Sequence, residues 1–320
     1  MNRLLSIAIL IPLAAGTLAF AQTKKAAAAP ATAAPAEPAT YVGSDVCGTC
    51  HEDLAKEFTR NPHHNVETGD KHGGPVWTGK ACEACHGPGS KHIESLSAAD
   101  IRNPLKLAAA DVDHLCLGCH LYGPIHVGRV ENSHARDLVP CTSCHAIHAR
   151  GPTRIALRKP AEVNALCASC HPDVMSRFQL PFKHKVPENA MTCVDCHNPH
   201  GSLKPGHLQM ANANEPGCMK CHGDKRGPFT FEHAPVREEG CNTCHEPHGS
   251  SNAKMLVRQE VRFVCLECHA NLPQPQPRVT ASVTGVVPPA FHDLYSPRYR
   301  NCTICHQKIH GSHVDRNLLR

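Results

Sequence analysis

A chain of 320 residues with 4% aromatic residues, a single Trp, 27 Pro, 20 Cys and 26 His cannot bury the apolar core that a domain of this length uses to offset backbone entropy. Something other than side chains must fill its interior. The formal charge of +5 is modest, and the cofactors inferred below reverse its sign, so it gives no support for nucleic-acid binding.

Residues 1–21 read as a secretory signal, with Arg3 as the positive n-region, Leu4 to Ala15 as the apolar h-region and Ala19-Phe20-Ala21 as an A-x-A cleavage site. The apolar run is short and broken by Pro12 and Gly16, which argues against a membrane-spanning helix. No later stretch is apolar enough to span a bilayer, so the mature chain is expected to be exported and soluble. Residues 22–40 hold the Ala/Pro tract "KKAAAAPATAAPAEPAT", which lacks apolar periodicity and reads as a disordered or semi-extended tether. A single domain is expected over 41–320. Its fold class is elongated and mostly irregular, with short α-helices and negligible β-sheet. Helices are expected at Glu52 to Phe58, Ile93 to Ile101 and Ala161 to Cys170, between Pro- and Gly-rich loops.

Every cysteine falls in a pair at i, i+3, and a histidine follows each pair. The pairs are Cys47 and Cys50, Cys82 and Cys85, Cys116 and Cys119, Cys141 and Cys144, Cys167 and Cys170, Cys193 and Cys196, Cys218 and Cys221, Cys241 and Cys244, Cys265 and Cys268, and Cys302 and Cys305. The histidines are His51, His86, His120, His145, His171, His197, His222, His245, His269 and His306. This is C-x-x-C-H, the attachment site of c-type haem. Two thiols on one face of a helical turn can form thioethers to the two porphyrin vinyl groups, and the next imidazole then reaches the iron.

Other chemistries explain less. Structural zinc uses C-x-x-C but has no need of a histidine after each pair. A disulfide scaffold does not predict universal i, i+3 spacing, and redox C-x-x-C motifs do not occur ten times over. With roughly one residue in twelve being His, ten coincidences have a chance of order one in 10¹¹. Ten haems are therefore expected, and they would supply the missing core. Their propionates would add roughly −20 of charge. The motifs are spaced by 35, 34, 25, 26, 26, 25, 23, 24 and 37 residues, an array in which each unit meets its neighbours.

Sixteen histidines remain, more than enough for a second axial ligand at every iron. Methionine, the other common axial ligand, is scarce. His148, His200 and His248 each follow a motif histidine by three residues, a span of at most about 11 Å. Two imidazoles on opposite faces of one iron need on the order of 12 Å plus the detour round the ring. Each should therefore serve a different haem. His63 or His64, His92, His126, His134, His184 and His233 are further candidates. His114 and His207 read as surface residues, while His72 and His292 stay open.

The chain resembles the MtrA/DmsE family of decahaem periplasmic cytochromes. The resemblance rests on "YVGSDVCGTCH", "CEACHGPGSKH", "CTSCHAIH", "CVDCHNPHGS", "CHGDKRGPFTFEHAPVREEGCNTCHEPHGS" and "CHQKIHGSHVDRNLLR". It implies ten bis-histidine haems with distal ligands His63, His92, His126, His134, His148, His184, His200, His233, His248 and His310. It further implies a wire seated in an outer-membrane β-barrel porin of MtrB type. Such a wire would pass electrons between periplasmic electron-carrier cytochromes and an extracellular multihaem cytochrome or terminal reductase. A barrel also answers a physical need, since this chain has no lipid-compatible face. The alternatives are a multihaem reductase of nitrite or a related oxyanion, which would need an open iron, and a freely diffusing periplasmic carrier.

Overall fold

The structure, a computed structural model, describes residues 37–69, 75–120, 133–148, 159–202, 204–212, 215–270 and 297–319. The chain divides into two units, Met1–Pro38 and Ala39–Arg320. The second carries every motif and is the one described. The candidate signal and nearly all of the Ala/Pro tract lie outside the described residues.

Helices are short because few segments keep an apolar stripe for more than two turns. The longest, Ala109–His120 and Pro160–Cys170, both end on a C-x-x-C-H motif, and Pro160 begins the second where its missing N–H costs nothing. Glu52–Phe58 is helical as expected, with Glu52 and Asp53 in its first turn and Lys56 in its last, complementing the helix dipole. The helix expected over Ile93 to Ile101 is instead Ser90–Ser95 followed by a 3-10 turn at Ala98–Asp100. Leu96 breaks it with a left-handed φ of 57°, and the Ser97 side chain then caps the new turn through the Ala99 N–H. Strand pairing among the described residues is confined to Met210–Asn212 against Glu215–Pro216 and a few isolated bridges. The chain is thus mostly irregular with short helices.

Buried apolar side chains among the described residues are Ala81, Val112, Val163, Phe178, Val186 and Met219. Six such groups, at about 1.5–3 kcal/mol for each large one, are no core for a domain of this length. Leu54, Leu105, Leu138, Ile304 and Val314 stay exposed.

Cysteines of successive motifs lie close enough to influence one another electrostatically, and some of the pairs are hydrogen-bonded. Cys47 lies against Cys82, Cys85 against Cys119, and Cys116 against Cys141. Cys144 then lies against Cys167, Cys167 against Cys193, and Cys196 against Cys218. Cys218 meets Cys241, Cys244 meets Cys268, and Cys265 meets Cys302. The ten motifs therefore follow one another in space in their order in sequence.

Polar staples fix some of these junctions. Ser44, Asp113 and Asn164 each stand three residues before the first cysteine of an odd-numbered motif. Each accepts the N–H of the first cysteine of the next motif, at 3.3 Å for Cys82, 3.0 Å for Cys141 and 3.1 Å for Cys193. Asn164, buried, also donates to the carbonyls of Val186 and Met191.

Candidate haem-binding site

Each motif closes on a helical bond from the histidine N–H to the carbonyl of its first cysteine. It is seen at 2.9–3.0 Å in, for example, His51, His145, His197 and His306. That bond makes one turn of helix; at Cys141–Ser143, Cys241–Thr243 and Cys302–Ile304 a 3-10 turn, closed by the second cysteine N–H on the first cysteine carbonyl, lies within it. It brings both sulfurs to one side with the imidazole just beyond. The twenty cysteines are free of disulfides.

Four motif histidines of even number are clamped by the loop that follows them. Nδ1 of His86 donates to Arg102 O at 2.8 Å, His197 to Gly206 O at 2.6 Å, His245 to Lys254 O at 2.9 Å and His306 to Asn317 O at 2.6 Å. An Nδ1–H engaged with a carbonyl fixes the tautomer and leaves the Nε2 lone pair for a metal. Two clamps are near copies. Bridges His197 to Leu208 and His245 to Leu256 hold them, and left-handed residues turn them, Gly206 and His207 in one and Lys254 and Met255 in the other. Beyond His148, the segment after His145 lies outside the described residues until Lys159.

Opposite the motif histidines stand the others. Ring centroids are 6.3 Å apart for His51 and His92, 5.8 Å for His86 and His148, and 6.0 Å for His120 and His63. They are 6.0 Å for His145 and His200, 6.3 Å for His171 and His134, and 6.0 Å for His197 and His248. They are 6.2 Å for His222 and His184, 6.2 Å for His245 and His310, and 6.3 Å for His269 and His233. Rings in direct stacking contact would be nearer 4 Å. An iron bonded to both at about 2 Å, with each ring centre about 1.2 Å behind its nitrogen, needs about 6 Å. The spacing fits a bis-histidine iron. Hollows at His51, lined by Cys50 and Leu54, and at His86, lined by Gly87 and Arg102, open beside two of these rings.

The partners follow a rule. His148, His200, His248 and His310 each come just after an even motif histidine and face the histidine of the previous even motif. His63, His134, His184 and His233 each precede an even motif and face the odd one beyond it. His200 thus lies against His145 and not against His197, only three residues away. His64 packs edge-on to Phe58 and His313 lies against Phe229. His114 is exposed, whereas His207, expected at the surface, is half-buried and accepts the Ser202 N–H at 3.1 Å. His126, His72 and His292 lie outside the described residues.

Burial, reinforced by the facing motif imidazole, holds His63, His148, His233 and His248 below the usual histidine pKa. Burial likewise lowers His310, with Lys225 and then His245 adding to it. They are neutral at neutral pH, the form that binds a metal. Among the thiols, burial and then the nearby Cys82 push Cys47 up to about 11. Cys302 accepts a hydrogen bond from Cys265 and falls to about 6, while Cys265 rises. A thioether at each sulfur removes that sulfur's titration.

Sequence reasoning overlooked the second set of polar groups. Asn61, buried, accepts from His63 Nδ1 at 3.2 Å and donates to Ile147 O. Glu83, 2% exposed, accepts the N–H groups of Val42, Gly43 and Gly89, each at 2.9 Å. The one available signal was positional: Ser44, Asp113 and Asn164 are polar at the same offset before three motifs.

The doubled CXXCH motif family model matches residues 134–176, 184–227 and 233–274. Each match begins at or beside one of the histidines that face an odd motif. Motif and paired rings together define a multihaem c-type cytochrome, a protein of electron transfer. Over 275 residues the chain is 34% identical to the multiheme cytochrome MtrA of Shewanella baltica (strain OS185), covering 84% of this chain and 78% of that relative. It belongs to the MtrA family.

Proposed function

We propose that this chain is a non-catalytic electron conduit holding ten bis-histidine c-type haems. When bound, each haem supplies an iron that alternates between ferric and ferrous states. The twenty motif cysteines would hold the porphyrins, and the ten motif histidines would be proximal ligands. His63, His92, His126, His134, His148, His184, His200, His233, His248 and His310 would be distal. The observation that carries this reading is the set of histidine pairs at 5.8–6.3 Å along motifs that follow one another without a gap.

No helix among the described residues is long and apolar enough to cross a membrane. With the secretory signal, this favours an exported, periplasmic protein that crosses the outer membrane inside a porin of MtrB type. Periplasmic carrier cytochromes would meet one end of the array, and an extracellular cytochrome or terminal reductase the other. Haem quantification with electron paramagnetic resonance of the oxidised holoprotein tests the ligand set. Ten haems per chain, all low-spin, are expected. A stoichiometric high-spin signal that shifts with nitrite would favour an oxyanion reductase instead. Co-expression with a candidate barrel, followed by co-purification, separates the conduit from a freely diffusing carrier.

A further inference from the structure

The histidine pairs share one spacing but not one orientation. Planes are within 15–27° of parallel for His51 with His92, His86 with His148, His145 with His200, His197 with His248, His245 with His310 and His269 with His233. They cross at 82° for His120 with His63, 53° for His171 with His134, and 67° for His222 with His184. The crossed pairs belong to the third, fifth and seventh motifs, and aligned pairs stand at the second, fourth, sixth and eighth. From the second motif to the eighth, the two arrangements alternate.

Ring planes govern the electronic structure of a low-spin ferric iron. Each imidazole donates π density to the d orbital perpendicular to its own plane. Two aligned rings raise the same orbital, split the pair strongly and stabilise the ferric state. Two crossed rings raise one orbital each and leave the pair nearly degenerate, which enlarges g anisotropy and removes part of that stabilisation. Second-shell bonds fix such planes.

Here they are visible. His134 Nδ1 bonds Pro199 O at 3.3 Å and His184 Nδ1 bonds Pro247 O at 2.9 Å, in each case the carbonyl just before the next distal histidine. His233, whose pair with His269 is aligned, is bonded to the Ile309 backbone in the same way, so this bond fixes the distal ring and the facing motif ring decides whether the pair crosses. His63 reaches the corresponding carbonyl, Ile147 O, only through Asn61.

We propose that the crossed pairs His63/His120, His134/His171 and His184/His222 create a second class of iron, of large g anisotropy and more positive potential, interleaved with the aligned class, and that Asn61 is the positioning residue that sets the His63 plane. This rests on the ligand assignment proposed above.

The test is a spin-quantified electron paramagnetic resonance spectrum of the fully oxidised holoprotein, repeated during stepwise reduction. Three irons per molecule are expected in the large-gmax signal, and that signal should vanish first as the potential is lowered. A full complement of low-spin haems with a single, smaller-g class overturns the inference while leaving the ligand assignment intact. High-spin irons or missing haems count against the assignment itself. The same spectrum of Asn61→Ala should show two large-gmax irons instead of three at unchanged haem content, and Asn61→Gln, which keeps both an acceptor for His63 and an amide donor for Ile147 O, should restore the third. Three such irons in Asn61→Ala would overturn the role given to Asn61.

Discussion

The junction that carries His184 and His248 does by backbone what the junction of His63 and His148 does by side chain. In the first, Phe182 and Ser250 form a bridge, His184 reaches Pro247 O directly, and Gly249 lets the Arg177 carbonyl approach to where a Cβ would stand. In the second, Asn61 spans the distance to Ile147 O. The sequence differs between them: "PHGS" follows the sixth and eighth motifs, whereas "IHAR" follows the fourth. The fourth motif has Ala149 where the sixth and eighth have glycine, and at its junction a buried amide spans the distance.

Both junctions presuppose cofactors, so the largest effect comes from withholding them. The chain made without haem attachment should lack cooperative structure, because the few buried apolar groups cannot offset the ordering entropy. A sharp calorimetric melt of the apo chain would contradict this.

Gly249→Ala should be the most damaging single change, at about 4 kcal/mol. Its φ is 144° and the new Cβ would lie 2.2 Å from Arg177 O. Gly311→Ala, at φ 142°, would meet the Phe229 side chain, 2.1 Å from its ring and 2.8 Å from its Cβ; rotation relieves this only in part, so about 3 kcal/mol is expected. Denaturant unfolding of the two holoproteins ranks them, and equal losses would mean that backbone approach is not what the glycine protects.

Asn164→Leu probes a staple that both halves of a junction share. It strands the Cys193 N–H and the Met191 carbonyl and takes one of two partners from the Val186 carbonyl, for a loss of about 3 kcal/mol. Asn61→Leu should cost about 2 kcal/mol, since it removes three hydrogen bonds, with Ile147 O, His63 N and His63 Nδ1, against five at Asn164. The order of the two unfolding midpoints checks the difference.

The smallest effect separates the two near-copied clamps. Lys254 holds a φ of 60° where the other clamp has Gly206 at 62°. Lys254→Gly should gain about 0.5 kcal/mol, and Gly206→Ala, which has room for its Cβ, should lose about 1 kcal/mol. Opposite signs in thermal melts would confirm that the turn conformation, not contact, distinguishes them.

Several elements were legible before any coordinates. Glu52–Phe58 carries its own charge pattern, and Pro160–Cys170 announces itself by proline. The helix expected to reach Ile101 stopped at Ser95 because the Ser97 side chain offers the backbone a competing turn. His114 and His207 both looked like surface residues, yet His207 closes the clamp on His197 because the chain reverses at Gly206.

The sequence by itself determined the chemistry: ten C-x-x-C-H units state which atoms can hold a porphyrin, since that reach is local and spans one helical turn. It also excluded His200 from its own neighbour's iron, because chain length limits reach. Only the tertiary structure decided that His200 faces His145 and His134 faces His171, and at what angle the planes meet. Those choices depend on contacts between residues up to 86 apart, such as Asn61 with Ile147. No local pattern encodes a partner at that distance, because any of the spare histidines offers the same lone pair.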